Sequence, residues 1–509
     1  MRAKLEQADA LIRLGKTAEA STLMHELDPK DLGREDTWFF ANLMRRIGDG
    51  DAALKVLRPY VRPSVKNQVL ASSEEKLEYA MALIKVGAIN EALRLLDGID
   101  PLKYPNRSLY ASFGHISQWN YLAAARDLES YLSHPDVEEY QRLTARVNLL
   151  SCYIFVGNLD GAKPLLDALL ESTRLSGVLR LRRNILNLAA QAAIALGDWE
   201  AARQVLDEAA STLTGQGASL DQALIDKWSL VLALNRDGPH AHLEERLWQL
   251  RQRGLQIASH ELVRDMDYYR GLFFKKLPLL NHVYFGSPFA SYREKIREAY
   301  AKMHGESFST PDVFAWVPGE QDAHKAKGWI RVADGRNSFG ASYLKPEQLK
   351  QKLFVLLAKD FYRPVGLYQI HDELFDDEQY FNPLSTPKKI HQILFRLNEW
   401  FREAGIPMEA ASKEHFFALS PLSPLQVLVG QEKTVDPKLA DFCARLRTAF
   451  GQVEFRSQDV CERLGLVRRT ATELLKKCVE EGLLTHLGGG PTSRFTLTSS
   501  KDLGESARL

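Results

Sequence analysis

Through the first half of the chain, apolar residues recur three and four positions apart, the spacing of one buried helix face, and the pattern breaks at recurring places. Five stretches share the same break: "ADALIRLGKTAEASTLMHELDP", "ANLMRRIGDGDAALKVLRPY", "AMALIKVGAINEALRLLDGIDP", "LLSCYIFVGNLDGAKPLLDAL" and "AAQAAIALGDWEAARQVLDEAA". Each predicts a helix, a glycine, a few polar residues, then a second helix built around alanine. The glycines are Gly15, Gly48, Gly87, Gly157 and Gly197, separated by 33, 39, 70 and 40 residues. The longest gap hides a degenerate copy near "SQWNYLAAARDLESYL". Glycine suits the left-handed end of the first helix. Ala20, Ala53, Ala92, Ala162 and Ala202 occupy matching positions of the second helix and let the pair approach closely. One hairpin cannot bury its own apolar face, so stacking into an array with a groove is expected.

The array is expected to reach residue 255, with a less regular helical connector over 256–303. In that connector, "YYRGLFFKKLPLLNHVYFGSPFASYREKIREAY" is rich in aromatic and basic residues. It suits inter-domain packing, with a ligand or partner surface as the sharper alternative. After "HGESFSTP" the pattern changes to short runs, "DVFAWVP", "GWIRVAD" and "SFGASYL", which predict strands. Leu349, Leu353, Leu356 and Leu357 then mark one helix, and Leu367, Ile370 and Leu374 a second. A third helix starts at Ser385 or Thr386 with Pro387, and buries Ile390, Ile393, Leu394, Leu397 and Phe401. "IPMEAASKEHFFALSP" alternates like a β-hairpin, and this module spans 304–420. A proline-punctuated linker over 421–436 leads to a second module over 437–498 and a flexible tail over 499–509. In the second module "KLADFCARLRTAFG" predicts a helix, "VEF" a short strand, and "SQDVCERLGL" a helix capped by Ser457. Gly465 allows a turn into "VRRTATELLKKCVEEGLL", whose inward set is Ala471, Leu474, Leu475, Cys478 and Val479. "LLTHLGGGPTSRFTL" closes as two strands around a glycine turn.

These patterns carry three resemblances. The hairpins resemble tetratricopeptide (TPR) repeats, with a period that wanders above the usual length. Over residues 312–420 the order of sheet, three helices and hairpin is similar to the OmpR/PhoB-type effector domain of bacterial response regulators. That resemblance implies that the third helix enters the DNA major groove, with Lys388, Lys389, His391, Gln392 and Arg396 as candidate contacts. Phe395 and Asn398 depart from it, standing where the family often has basic residues. The tail of the chain resembles the winged helix-turn-helix of MarR-like bacterial regulators. There the outward residues Arg468, Arg469, Thr470, Thr472 and Lys476 cluster toward the helix start, and Thr492, Ser493 and Arg494 sit at the wing tip. The expected fold is therefore mainly α: a TPR-like superhelix followed by two α+β winged-helix domains.

Composition bounds the function. Hydrophobic residues at 45% and charged residues at 26% are those of an ordinary globular protein, and no run of about 18 apolar residues predicts a membrane span. The N-terminus "MRAKLEQADALIRLGK" does not read as a secretory signal. Cys152, Cys443, Cys461 and Cys478 lack CxxC spacing and fall in helical segments, so reduced core cysteines and a cytoplasmic location are expected. The net charge of +1 means that any DNA contact must come from local basic faces. Neither a G-x-x-x-x-G-K-[ST] loop nor an H-E-x-x-H, a G-x-S-x-G elbow or clustered zinc ligands appears in the sequence. An enzyme, a cofactor and a metal are thus not expected; "LFDDEQYF" reads as a solvated acidic loop. The function expected is a DNA-binding transcriptional regulator whose repeats take a protein, peptide or small ligand, or drive dimerisation. A two-fold homodimer is expected only from the symmetry of DNA half-sites. The alternative is a protein-interaction scaffold with winged helices as docking modules.

Overall fold

A computed structural model of the chain describes residues 1–62, 70–174, 179–213, 219–320, 325–340, 342–345, 348–375, 380–382, 385–430, 437–451, 453–481, 483–488 and 493–498. The acidic stretch 376–379, Thr492 and the tail over 499–509 lie outside the described residues. The chain forms two compact units, Met1–Ser287 with Asp312–Gly430, and Pro288–Pro311 with Gln431–Leu509.

The first unit opens with successive helix pairs. They are α1 (Arg2–Arg13) and α2 (Thr17–His25), α3 (Arg34–Arg46) and α4 (Gly50–Val61), and α5 (Ser73–Val86) and α6 (Ile89–Asp97). Next come α7 (Asn106–Ser117) and α8 (Tyr121–Leu132), α9 (Glu139–Phe155) and α10 (Leu159–Arg174), and α11 (Leu179–Leu196) and α12 (Trp199–Ser211). The series continues past residue 255 through α13 (Ser219–Asp237), α14 (Ala241–Gln256), α15 (His260–Phe273) and α16 (Leu277–Phe285). Helix α17 (Ala290–His304) belongs to the second unit.

One backbone turn builds these hairpins. At each of Gly15, Gly48, Gly87, Gly157 and Gly197 a left-handed residue donates its N–H to the carbonyl three residues back, and the following residue donates to the carbonyl five back. Trp119, Ala258 and Lys275 make the same pair of bonds at φ of 59°, 52° and 52° without being glycine. The degenerate copy is therefore a complete turn at Trp119, and two further turns extend the series. Trp119 is held by edge contacts to Tyr121 and Phe155. Ala258 is exposed, so Ala258→Gly is expected to relieve about 1 kcal/mol of left-handed strain and raise the urea midpoint of the full chain.

Close packing follows from small residues, and the series changes which helix carries them. Ala20, Ala53, Ala92, Ala162 and Ala202 are buried at the first turn of the second helix, as is Ala124 in the degenerate copy. In the last two turns the same place holds Val263 and Leu280, and glycine moves to the preceding helix. A Cβ on Gly254 would meet Val263 Cγ2 at 3.1 Å, and one on Gly271 would meet the Leu280 Cα at 3.1 Å. Bulk on one helix is matched by its removal from the other.

The rest of the first unit is mixed α/β. Strands β1 (Val313–Trp316) and β2 (Trp329–Arg331) precede α18 (Leu349–Leu357), β3 (Val365–Gly366), α19 (Leu367–Leu374) and α20 (Thr386–Glu403). The hairpin of β4 (Met408–Lys413) and β5 (Phe416–Pro421) follows, then β6 (Gln426–Gly430). The sheets run β1-β6-β2, with β6 antiparallel to β1 and parallel to β2, and β3-β5-β4, which is antiparallel throughout. Their core gathers Ile330, Leu353, Phe354, Ile370, Ile390, Leu397, Phe401 and Phe417. Leu349 is the exception among the predicted apolar marks, lying exposed at the start of α18.

Two expectations change here. "SFGASYL" forms no strand among its described residues. Asn337 instead accepts the N–H groups of Phe339 and Gly340 at 2.9 and 3.0 Å and donates to the Ser342 carbonyl at 2.9 Å, a local turn that competes with pairing. Gln426–Gly430, expected within a linker, is the central strand of its sheet, with Val427 fully buried. The flanking Pro421 and Pro424 disguised it, because proline punctuates strand ends as well as linkers.

The mixed region is anchored to the repeats within this unit. The Asp372 carboxylate accepts the backbone N–H groups of Asn90 and Glu91 at 2.8 and 2.9 Å, capping α6 from another part of the chain. Burial lifts that carboxyl to about 6, against the pull of the two N–H groups and Arg94. Tyr368 donates its hydroxyl to Asp51. A second anchor joins Arg264, fully buried, to both oxygens of Asp360 at 2.8 and 2.7 Å, while Tyr362 donates to Asp267 at 3.2 Å.

The second unit contains α17, α21 (Pro437–Phe450), α22 (Ser457–Leu464), α23 (Arg468–Glu480) and the antiparallel pair β7 (Leu484–Leu487) and β8 (Arg494–Leu497). "VEF" contributes a single bridge, Phe455 to Phe495. The core is Leu439, Phe442, Leu446, Phe455, Val460, Ala471, Leu475 and Cys478. Ser457 is the first helical residue of α22, one place later than a cap, and Asp459 accepts the Arg456 N–H at 2.7 Å in the capping role. The cysteines are free thiols, and those of Cys443 and Cys478 touch at 3.5 Å. Among the described residues no helix is long and apolar enough to cross a membrane.

Candidate nucleic-acid interface

Two segments repeat one order of elements. In the first unit it is α18, β3, α19, α20 and the β4–β5 hairpin; in the second it is α21, the Phe455 bridge, α22, α23 and the β7–β8 hairpin. In both, the short early strand pairs with the last strand of the hairpin. The third helix of each segment packs one apolar face inward and leaves the opposite face in solvent.

On α23 the inward face is Ala471, Leu475 and Cys478, all buried, with Leu474 and Val479 half-buried. Gly465, at φ 65°, ends α22 and reverses the chain, and α23 begins after the half-buried Leu466 and the exposed Val467. Arg468, Arg469, Thr470, Thr472 and Lys476 are all exposed, as the spacing predicts. Thr472 returns its hydroxyl hydrogen to the Arg468 carbonyl at 2.8 Å. Arg469 pairs with Glu473 at 3.1 Å and Lys476 with Glu480 at 3.7 Å, both one turn along the helix. Arg468 has no ion pair among the described residues, which leaves it the most available cation at the positive end of the helix dipole. At the hairpin, Arg494 is exposed and reaches Glu454 at 3.0 Å, and Ser493 is hydrogen-bonded to His486. Thr492 lies outside the described residues.

On α20, Lys388, Lys389, His391, Gln392 and Arg396 are exposed. They do not form one equivalent set. His391 rests on Phe417 of the hairpin, with ring centroids 5.7 Å apart, and Lys389 lines a cavity toward the repeats. Lys388, Gln392 and Arg396 form the outward remainder. Asn398 holds α20 to the hairpin through both ends of its amide: Nδ2 donates to the Ala410 carbonyl at 3.0 Å, and Oδ1 accepts the Ala410 N–H at 2.7 Å. The departure from the resembled family at this position therefore has a structural task that arginine could not perform. Phe395 is exposed on the same helix.

The hairpin tip of the first segment places Glu414 and His415 at φ of 51° and 68°, the left-handed pair of a two-residue turn, and both are exposed. Sequence reasoning passed over this tip because neither residue is a glycine or asparagine. Among the described residues no group of three or more His, Cys, Asp or Glu side chains could hold a metal ion. No protein-family model matches the chain, and no curated protein matches it.

Proposed function

We propose that the chain is a DNA-binding regulator in which a TPR-like repeat array is joined to two winged helices, the first OmpR/PhoB-like and the second MarR-like. The observation that carries this reading is the face of α23, where Arg468, Arg469, Thr470, Thr472 and Lys476 stand exposed together at the start of a third helix followed by a hairpin. That placement suits a helix whose first turns reach base edges while its dipole meets phosphates. The outward residues Lys388, Gln392 and Arg396 of α20 offer a second, weaker surface. Input comes through the repeats, by a protein, peptide or small ligand that favours one arrangement of the array.

A scaffold of docking modules is the second reading, favoured by the acids that answer the bases on the same surfaces: Glu473, Glu480 and Glu454. Anisotropy of a labelled random duplex separates the two. A DNA reader is expected to bind it at about 50 mM salt with an affinity that falls steeply as salt rises. A chain that leaves the duplex free at that salt is the scaffold.

A further inference from the structure

The first unit holds a cavity of about 580 Å³ between helix α4 of the repeats and the helices α19 and α20. Arg58 and Arg62, four residues apart on and just after α4, enter it from one side, and Lys389 and the start of α20 from the other. His371, Phe375 and Tyr380 supply flat walls. Among the described residues the cations of the cavity outnumber the carboxylates. Arg62 is answered by Glu91 at 3.1 Å and lies over the Tyr380 ring at 3.7 Å. Arg58 has neither hydrogen bond nor ion pair for its side chain among the described residues, and its Nε is buried. His371, 4% exposed, has a buried Nδ1 with no hydrogen-bond partner among the described residues.

Among the described residues, three cations stand against one carboxylate, and a buried guanidinium nitrogen and a buried imidazole nitrogen are unanswered, the lining of a pocket suited to an anion. The first turn of α20 adds its dipole in the same sense. Burial, then Lys389 and Arg94, push the His371 imidazole down to about 4, so it faces the cavity as a neutral ring. The volume exceeds that of a bare anion and leaves room for a planar body against Tyr380 and Phe375.

We propose that this cavity binds a small phosphate ester, its dianion held by Arg58, Arg62 and Lys389 and its ring laid against Tyr380 and Phe375. A guanidinium meets two phosphate oxygens at once, and a phosphate monoester brings a third oxygen and more negative charge than a lone carboxylate, which suits three converging cations. The site joins residues more than 300 positions apart in the chain, so its occupant would tie the repeats to the helix that carries Lys388, Gln392 and Arg396. The inference stands independently of whether α23 or α20 meets DNA.

The test is isothermal titration of the full chain with inorganic phosphate, adenosine 5′-monophosphate and adenosine, on the natural chain and on Arg58→Gln. Saturable binding of the monophosphate, tighter than inorganic phosphate and absent for adenosine, is expected. Arg58→Gln is expected to weaken it at least ten-fold, as loss of a charge-assisted bond does, without moving the thermal midpoint, because the Arg58 side chain makes no hydrogen bond or ion pair among the described residues. Lys389→Gln is the second variant and is expected to weaken the same binding. Absence of saturable binding by the natural chain, or equal binding by Arg58→Gln, overturns the proposal. Loss of duplex affinity in Arg58→Gln, with no binding of either free phosphate, assigns the cavity to a nucleic-acid backbone and overturns it as well.

Discussion

Arg468→Glu with Arg469→Glu is expected to lower affinity for a random duplex roughly hundred-fold at low salt and to flatten the log–log salt dependence by about 2 units. Both side chains are exposed at the start of α23, so the exchange removes no buried contact and breaks only the exposed Arg469–Glu473 pair, which is worth little to the fold. The two are not equal. Arg469 already faces Glu473 at 3.1 Å and must exchange that partner for phosphate, whereas Arg468 has no such competitor among the described residues. Arg468→Glu alone is therefore expected to carry the larger share. Anisotropy across a salt series reads both quantities, and a double variant with an unchanged slope would sink the DNA reading for this helix.

Arg264→Ala is expected to cost the first unit about 3–5 kcal/mol, the penalty for leaving a buried charge alone. Arg264 is fully buried and grips both oxygens of Asp360, which is itself mostly shielded at 11% side-chain exposure. Asp360 also accepts the N–H groups of Tyr362 and Arg363 at 2.9 and 3.1 Å. Asp360→Asn keeps an oxygen for those bonds and removes only the charge, so it is expected to lose less than Asp360→Ala. Urea denaturation followed by tryptophan fluorescence orders the three variants; equal midpoints for all of them and the natural chain would mean that the pair contributes nothing.

How legible this was depends on the distance over which a signal acts. The hairpins were readable because glycine, an apolar face and a buried alanine recur locally, and that reading holds at Gly15, Gly48, Gly87, Gly157 and Gly197. It stopped short at Ala258 and Lys275 because their turns are made by the backbone, whose bonds leave no mark on residue type. Gly254 and Gly271 mark those last hairpins from the other helix, where the small residue has moved. The inward faces of α20 and α23 were legible from periodicity alone. The strand Gln426–Gly430 was not, since its partners lie about a hundred residues upstream and nothing nearby names them. Arg58 and His371 were invisible as a pair for the same reason. In the sequence Asn398 is only a departure from the resembled family, and its task appears once Ala410 is beside it.

Asp372 belongs by sequence to a short helix near the middle of the mixed region, yet it finishes a helix that began almost three hundred residues earlier. A fragment cut after the last hairpin would leave the Asn90 and Glu91 amides without that acceptor, and a fragment begun there would leave Asp372 without the two N–H groups it accepts. Neither half is a natural product of dissection. Asp372 is thus a rivet between α6 and α19, set beside the Tyr368–Asp51 and Arg264–Asp360 fastenings of the same unit.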